Sequence, residues 1–167
     1  MVELTQKERL QPSLLDRLTD DEPEKTQESR EQRAFPLSKL RGCVLRDLVW
    51  LLNTSKLESV QSLDDYSLAA HSVINYGIPN LTGSTDSGIN VSAIEQSIKQ
   101  AIWDFEPRIL RDSVRVKLSV SDQIMSHNTI SFDIDGYLWA QPLPLHLYLK
   151  TEVDMELGCI SVKEIGG

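Results

Sequence analysis

The densest run of reactive side chains is Asp104-Phe105-Glu106-Pro107-Arg108-Ile109-Leu110-Arg111-Asp112, with three carboxylates and two guanidiniums in nine residues. Paired carboxylates are the machinery of glycoside hydrolysis, in which one is held protonated as the acid. Glu106 is the candidate acid, with Asp104 or Asp112 as its partner. Arg108 and Arg111 oppose that use, because a nearby cation favours the ionised carboxylate. With aromatic residues at 6 %, the chain also carries no saccharide-cleft signature. The plainer reading of Glu106 and Arg108 is an ion pair or capping interaction at a helix end. Other constellations fail more simply. His71, His127 and His146 have no metal-ligand spacing with one another or with a cysteine. Gly83-Ser84-Thr85-Asp86-Ser87-Gly88 lacks the Lys-Ser/Thr ending of a phosphate-binding loop and reads as a flexible loop. The residues thus point to no enzyme, no catalytic residue, no metal site and no cofactor.

The composition sets the same tone. A formal charge of -8, from 25 acidic and 17 basic residues, argues against nonspecific nucleic-acid binding, which needs clustered lysine and arginine. Arg108, Arg111, Arg115 and Lys117 form a small basic cluster that reads as a solvated face. Cys43 and Cys159 belong to no C-x-x-C pattern and are expected as buried free thiols in a reducing compartment. Residues 1–10 lack the apolar core of a signal peptide, and no apolar run is long enough to span a bilayer. The expected location is cytoplasmic, with no direct membrane insertion.

Three segments divide the chain. Residues 1–18 hold a short helix, 12–18, capped by Ser13, with Leu14, Leu15 and Leu18 on one side. So short a helix is marginal alone and needs a surface, its own domain or a partner's groove. Residues 19–35 are nearly all polar until Phe35 and read as a linker. Residues 36–167 form the main domain.

That domain starts with helical periodicity. Ser38 is the expected cap of a helix whose stripe is Leu40, Val44, Leu48 and Leu51, widened by Cys43, Leu45 and Leu52, and Asn53-Thr54-Ser55 ends it. A second short helix is expected over 66–74, broken by Asn75-Tyr76-Gly77-Ile78-Pro79-Asn80. The clearest helix is 92–105, with Ser92-Ala93-Ile94-Glu95 as a capping box, Val91, Ile94, Ile98, Ile102 and Phe105 as the stripe, and Pro107 as the stop. The period then changes to two. Val114, Val116, Leu118 and Val120 alternate with polar residues, as do Ile130, Phe132 and Ile134, and then Leu145, Leu147, Leu149, Val153 and Met155. Gly158 permits a turn into a short last strand, 159–163. The expected fold class is α+β, with N-terminal helices packed on one face of a small antiparallel β-meander.

Several of these segments together resemble a known family. They are Tyr76-Gly77-Ile78-Pro79, Phe105-Glu106-Pro107-Arg108-Ile109, Asn128-Thr129-Ile130-Ser131-Phe132 and Leu138-Trp139-Ala140-Gln141-Pro142. Leu14-Leu15-Asp16-Arg17-Leu18, Leu45-Arg46-Asp47-Leu48 and Leu147-Tyr148-Leu149-Lys150-Thr151-Glu152 add to the likeness. In order and spacing they resemble the TssE family of type VI secretion baseplate subunits, related to the lysozyme-like wedge protein of contractile phage tails. The resemblance implies a lysozyme-like baseplate wedge domain over 36–167 and a noncatalytic assembly part. It implies baseplate partners TssF, TssG and TssK, sheath partners TssB and TssC, and a place at an inner-membrane-docked baseplate. It also assigns Glu106, Pro107 and Arg108 to partner contacts.

The strand pattern is compatible with such a role, since a free sheet edge accepts a partner strand through main-chain hydrogen bonds. Residues 145–157 are the candidate edge, with Lys150, Glu152, Asp154 and Glu156 on the polar face; those charges read equally well as edge protection. Leu14, Leu15 and Leu18 offer a second attachment. Glu106→Ala or Arg108→Ala is expected to leave the domain folded and weaken assembly. A peptidoglycan hydrolase is the alternative from another class, and the wedge part of a phage-derived particle a third reading.

Overall fold

A computed structural model describes residues 13–19, 23–24, 37–81, 91–119, 129–140, 143–154 and 156–165, with the Arg17 side chain left out. The expected loop at 83–88, most of the 19–35 linker, His127, Val120 and Met155 lie outside the described residues.

The first element is the short helix α1, Leu14–Leu18, capped by Ser13, whose Oγ accepts from the Asp16 N–H. Helix α2, Leu37–Leu52, buries the expected stripe of Leu40, Cys43, Val44, Leu48, Leu51 and Leu52. Ser38 does not cap it: the helix already includes Leu37, so Ser38 sits inside the first turn. At the other end the Asn53 and Thr54 side chains donate to the carbonyls of Val49 and Trp50, satisfying groups that a helix end leaves open.

The helix expected over 66–74 breaks in two. A single turn, α3, spans Ser67–Ala70, and a 3₁₀ turn follows at Val73–Asn75. Ser72 is the reason: its hydroxyl donates to the Ala69 carbonyl and accepts from the Ile74 N–H, offering the backbone a turn in place of a helix. Gly77 then adopts φ +124°, where a Cβ would lie 2.2 Å from the Thr54 carbonyl oxygen. That approach lets Ile78 bridge to Ser55, with Ile78 N–H on the Thr54 oxygen and Lys56 N–H on the Ile78 oxygen.

Helix α4, Val91–Phe105, buries Ile98, Ala101 and Ile102. The capping box does not form, because Ser92 is already the second helical residue. Glu95 instead accepts the Leu118 N–H at 2.7 Å, an edge-strand donor that needs a partner.

Four strands follow: β1 Arg115–Ser119, β2 Thr129–Leu138, β3 Leu145–Asp154 and β4 Ile160–Glu164. They form one antiparallel meander in the order β1-β2-β3-β4. The helices pack on its apolar face, so the α+β arrangement matches the sequence pattern. Gly158, at φ 66°, makes the turn before β4. The core joins Val44, Leu48 and Leu51 of α2, Ile98 and Ile102 of α4, and Val116, Phe132, Ile134, Leu147, Leu149 and Val153 of the sheet.

One expectation about this sheet is overturned. Residues 145–157 do not form an edge, because β3 pairs with β2 on one side and β4 on the other. Lys150 and Glu152 are therefore polar-face residues of an interior strand. The edges are β1 and β4. Cys159 also departs from expectation: both thiols are free, but Cys159 is exposed while Cys43 is buried.

Candidate partner-binding site

Helix α4 ends at Phe105 because Pro107 cannot continue it, and Glu106 closes the last turn through its N–H on the Ile102 carbonyl. The chain then runs extended beside the end of β2. Trp139 N–H donates to the Arg108 carbonyl at 2.7 Å, and Leu110 N–H to the Tyr137 carbonyl at 2.8 Å. Ile109 thus bridges Leu138. Two of the sequence segments singled out above, around Phe105–Ile109 and Leu138–Ala140, are zipped together by backbone.

Glu106 is turned inward and is 3 % exposed. Arg108 grips it with a bidentate fork: Nε to Oε1 at 2.6 Å and Nη2 to Oε2 at 2.5 Å. The Arg108 N–H adds a third bond to Oε1. Pro107 sets the geometry, since its fixed φ turns the chain back between the two charged residues. Arg108 Nη2 also reaches Asp47 Oδ2 on α2 at 2.5 Å. Asp47 in turn accepts from Arg46, and Arg46 Nη1 donates to Asp16 Oδ1 of α1 at 2.7 Å. The result is an alternating chain of charges, Glu106–Arg108–Asp47–Arg46–Asp16, tying the junction to both helices. Arg108 Nη1 is buried with no hydrogen-bond partner among the described residues.

The charges are held firmly. Burial works against the Arg108 cation, but Glu106 and then Asp47 outweigh it and raise its pKa above the ordinary value. Burial likewise raises Asp16, yet hydrogen bonds from Ser13, Arg46 and Cys43 overcome that and bring it down to about 2. The Cys43 thiol is pushed up by burial and by Asp16. Tyr76 stacks edge-on to Phe105 at 5.1 Å, and its hydroxyl donates to the Asp47 carbonyl. Burial, then Asp47 and Glu106, raise the Tyr76 pKa.

The leucines of α1 take no part in docking it. Leu14 and Leu18 are 70 % and 75 % exposed, and Leu15 is exposed as well. Asp16 does the attaching, with its side chain 4 % exposed. The sequence reading missed Asp16, Arg46 and Asp47 as members of the site. A signal was present, because Arg46-Asp47 interrupts the apolar run of α2.

The basic cluster expected at 108–117 is not one surface. Arg108 is spent on Glu106 and Asp47, and Arg111 Nη2 donates to the Trp103 carbonyl. Arg115 and Lys117 stand on β1, opposite Asp135 and Asp133 of β2. The carboxylates weighed as a catalytic pair are also in separate networks: Asp104 accepts from Gln100 and pairs with His71. Among the described residues no group of carboxylate, histidine and cysteine side chains has metal-binding geometry.

Helices on one face of a four-stranded meander, with a buried ionic junction at the end of α4, make up the described architecture. The sequence model of baseplate wedge protein gp25 matches residues 38–143, which is most of the chain and includes Arg46, Asp47, Glu106 and Arg108 but not Asp16. The chain belongs to the baseplate wedge protein gp25 family, which includes the TssE subunits and whose members are structural parts of contractile tail baseplates. Comparison with curated proteins and with solved structures returned no match. Baseplate membership implies other baseplate proteins as partners. No helix among the described residues is long and apolar enough to cross a membrane.

Proposed function

We propose that this chain is a noncatalytic subunit of a type VI secretion baseplate, built into the wedge with TssF, TssG and TssK, and an initiation point for the TssB/TssC sheath. It would work in the cytoplasm, at a baseplate docked on the inner membrane. The sequence resemblance supplies the secretion system, and family membership supplies the wedge. The observation that carries the reading is the junction itself. Both Glu106 oxygens are bonded by Arg108, which suits a fixed structural corner. Arg108 is still 20 % exposed, so the corner can be read from outside. Pro107 and Arg108, with the buried Glu106 holding Arg108 in place, are the proposed contact for wedge and sheath, and Leu14, Leu15 and Leu18 a second contact for a partner's groove.

Sheath initiation by strand addition would use an edge strand, β1 or β4. The Ile160 N–H and carbonyl point away from β3 and are both occupied by the Asn53 side chain, as the Leu118 N–H of β1 is by Glu95. By the alternation of a strand, Val162 and Glu164 turn their main-chain groups the same way. The test is reconstitution of the wedge with TssF, TssG and TssK, followed by sheath polymerisation from TssB and TssC. Arg108→Lys keeps the charge and removes the fork. The expected result is a folded protein with reduced wedge or sheath yield. A folded Arg108→Lys variant that assembles at the parent level would overturn the reading.

A further inference from the structure

The turns between α2 and α4 carry an unusual surface. Five large apolar side chains are exposed within fifteen residues: Val60, Tyr66, Leu68, Val73 and Ile74. Leu68 and Val73, at 89 % and 81 % exposed, have almost nothing over them. Single exposed apolar residues are ordinary, but a cluster of them marks an interaction site.

The cluster stands on a fixed platform. Asn75 is buried at its centre, where its Oδ1 accepts the Glu58 N–H and its Nδ2 donates to the Ala70 carbonyl. One side chain thereby joins the 3₁₀ turn Leu57–Ser59 to α3 and to its own turn. Leu63 is buried, and Ser59 Oγ accepts the Asn80 N–H. Folding has thus satisfied the backbone and left the apolar side chains outside.

Charge decides what covers them. In this stretch Lys56 is taken by Glu58, leaving the carboxylates of Asp64 and Asp65, both exposed, beside the apolar residues. His71 is held by Asp104. An acidic rim opposes an anionic bilayer, whose lipids attract basic segments. It opposes a second copy too, since like rims would meet in a chain of net charge -8. We infer that this knot of turns is a docking surface for a segment of another protein that presents an apolar stripe edged by lysine or arginine. The inference goes beyond the wedge reading and does not depend on which machine houses the chain.

A photo-crosslinking residue, p-benzoylphenylalanine, placed at Leu68 or Val73 of the full chain in its native cells tests this. The control carries the probe at Gln96, an exposed residue of α4 outside every contact proposed above. The expected result is one protein crosslink, roughly tenfold above the control, at a peptide that combines apolar residues with lysine or arginine. Asp64→Lys/Asp65→Lys should remove it, while the thermal midpoint stays within a few degrees of the parent. Leu68→Ser/Val73→Ser, with the probe at Tyr66, should lose it as well. Crosslinks to a second copy, to lipid or to an acidic peptide would overturn the inference, as would no crosslink at all. A normal wedge yield from Leu68→Ser/Val73→Ser alongside no crosslink would sink this inference and leave the proposed function standing.

Discussion

Arg108→Met asks how much of the fold rests on the ionic corner. The substitution preserves length and apolar stem but removes the cation from two carboxylates. Glu106 suffers most. It is 3 % exposed and loses both side-chain bonds, at 2.6 and 2.5 Å, keeping the Arg108 N–H. Asp47 is 22 % exposed and retains Arg46, so its loss is smaller. Stranding a buried charge by removing one partner costs about 3–5 kcal/mol. At about 2–4 °C per kcal/mol for a chain of this size, the thermal midpoint should fall by about 6–20 °C. The double variant Glu106→Gln/Arg108→Met removes the stranded charge, so it should be more stable than Arg108→Met alone. Urea unfolding followed by circular dichroism measures all the variants, with Glu106→Gln completing the cycle. A loss below about 1 kcal/mol for Arg108→Met, or singles that simply add in the double, would refute the reasoning. This size also changes the expectation that alanine at Glu106 or Arg108 leaves the domain intact. Assembly tests at this corner need a stability measurement beside them.

Two further predictions follow from local geometry. Gly77→Ala places a Cβ 2.2 Å from the Thr54 carbonyl at φ +124°, so it should destabilise by about 3 kcal/mol or more, read from the same unfolding curves. The attachment of α1 should depend on acid. Asp16 stands at about 2 in the folded chain against an ordinary 3.8, so its contribution is present above pH 3.8 and is lost as pH falls toward 2. Amide exchange of residues 14–19 should rise across that window in the parent, whereas Asp16→Asn should show fast exchange already at pH 6. These rates are compared as protection relative to the intrinsic exchange rate at each pH, and protection in the parent that does not fall between pH 4 and about pH 2 would contradict the assignment.

Much of the fold is legible along the chain because it rests on local periodicity. The leucine and valine stripe of α2, the isoleucine stripe of α4 and the alternation of Val114–Leu118, Ile130–Ile134 and Leu145–Val153 each name their own buried face. Pro107 and Gly158 act through their own backbone, so a stop and a turn can be placed from residue type. The features that sequence misplaces are those settled by a neighbour. Ser72 breaks a helix by bonding to groups already brought close by a turn. Glu95 has no capping role because the helix already starts at Val91, and it accepts a donor from the β1 edge instead.

The Glu106-Pro107-Arg108 segment divides the same way. Sequence by itself determined that a helix ends there, that a strand follows, and that an acid and a base flank the proline. Tertiary structure decided that Glu106 is buried, that Arg108 reaches Asp47 sixty-one residues away in the chain, and that the line of charges continues through Arg46 to Asp16. It also decided that β3 is interior and β4 an edge, and that the α1 leucines face outward while Asp16 holds the helix. Periodicity is written in a few consecutive residues. Pairing across the fold depends on which surfaces burial brings together, and no single segment contains that information.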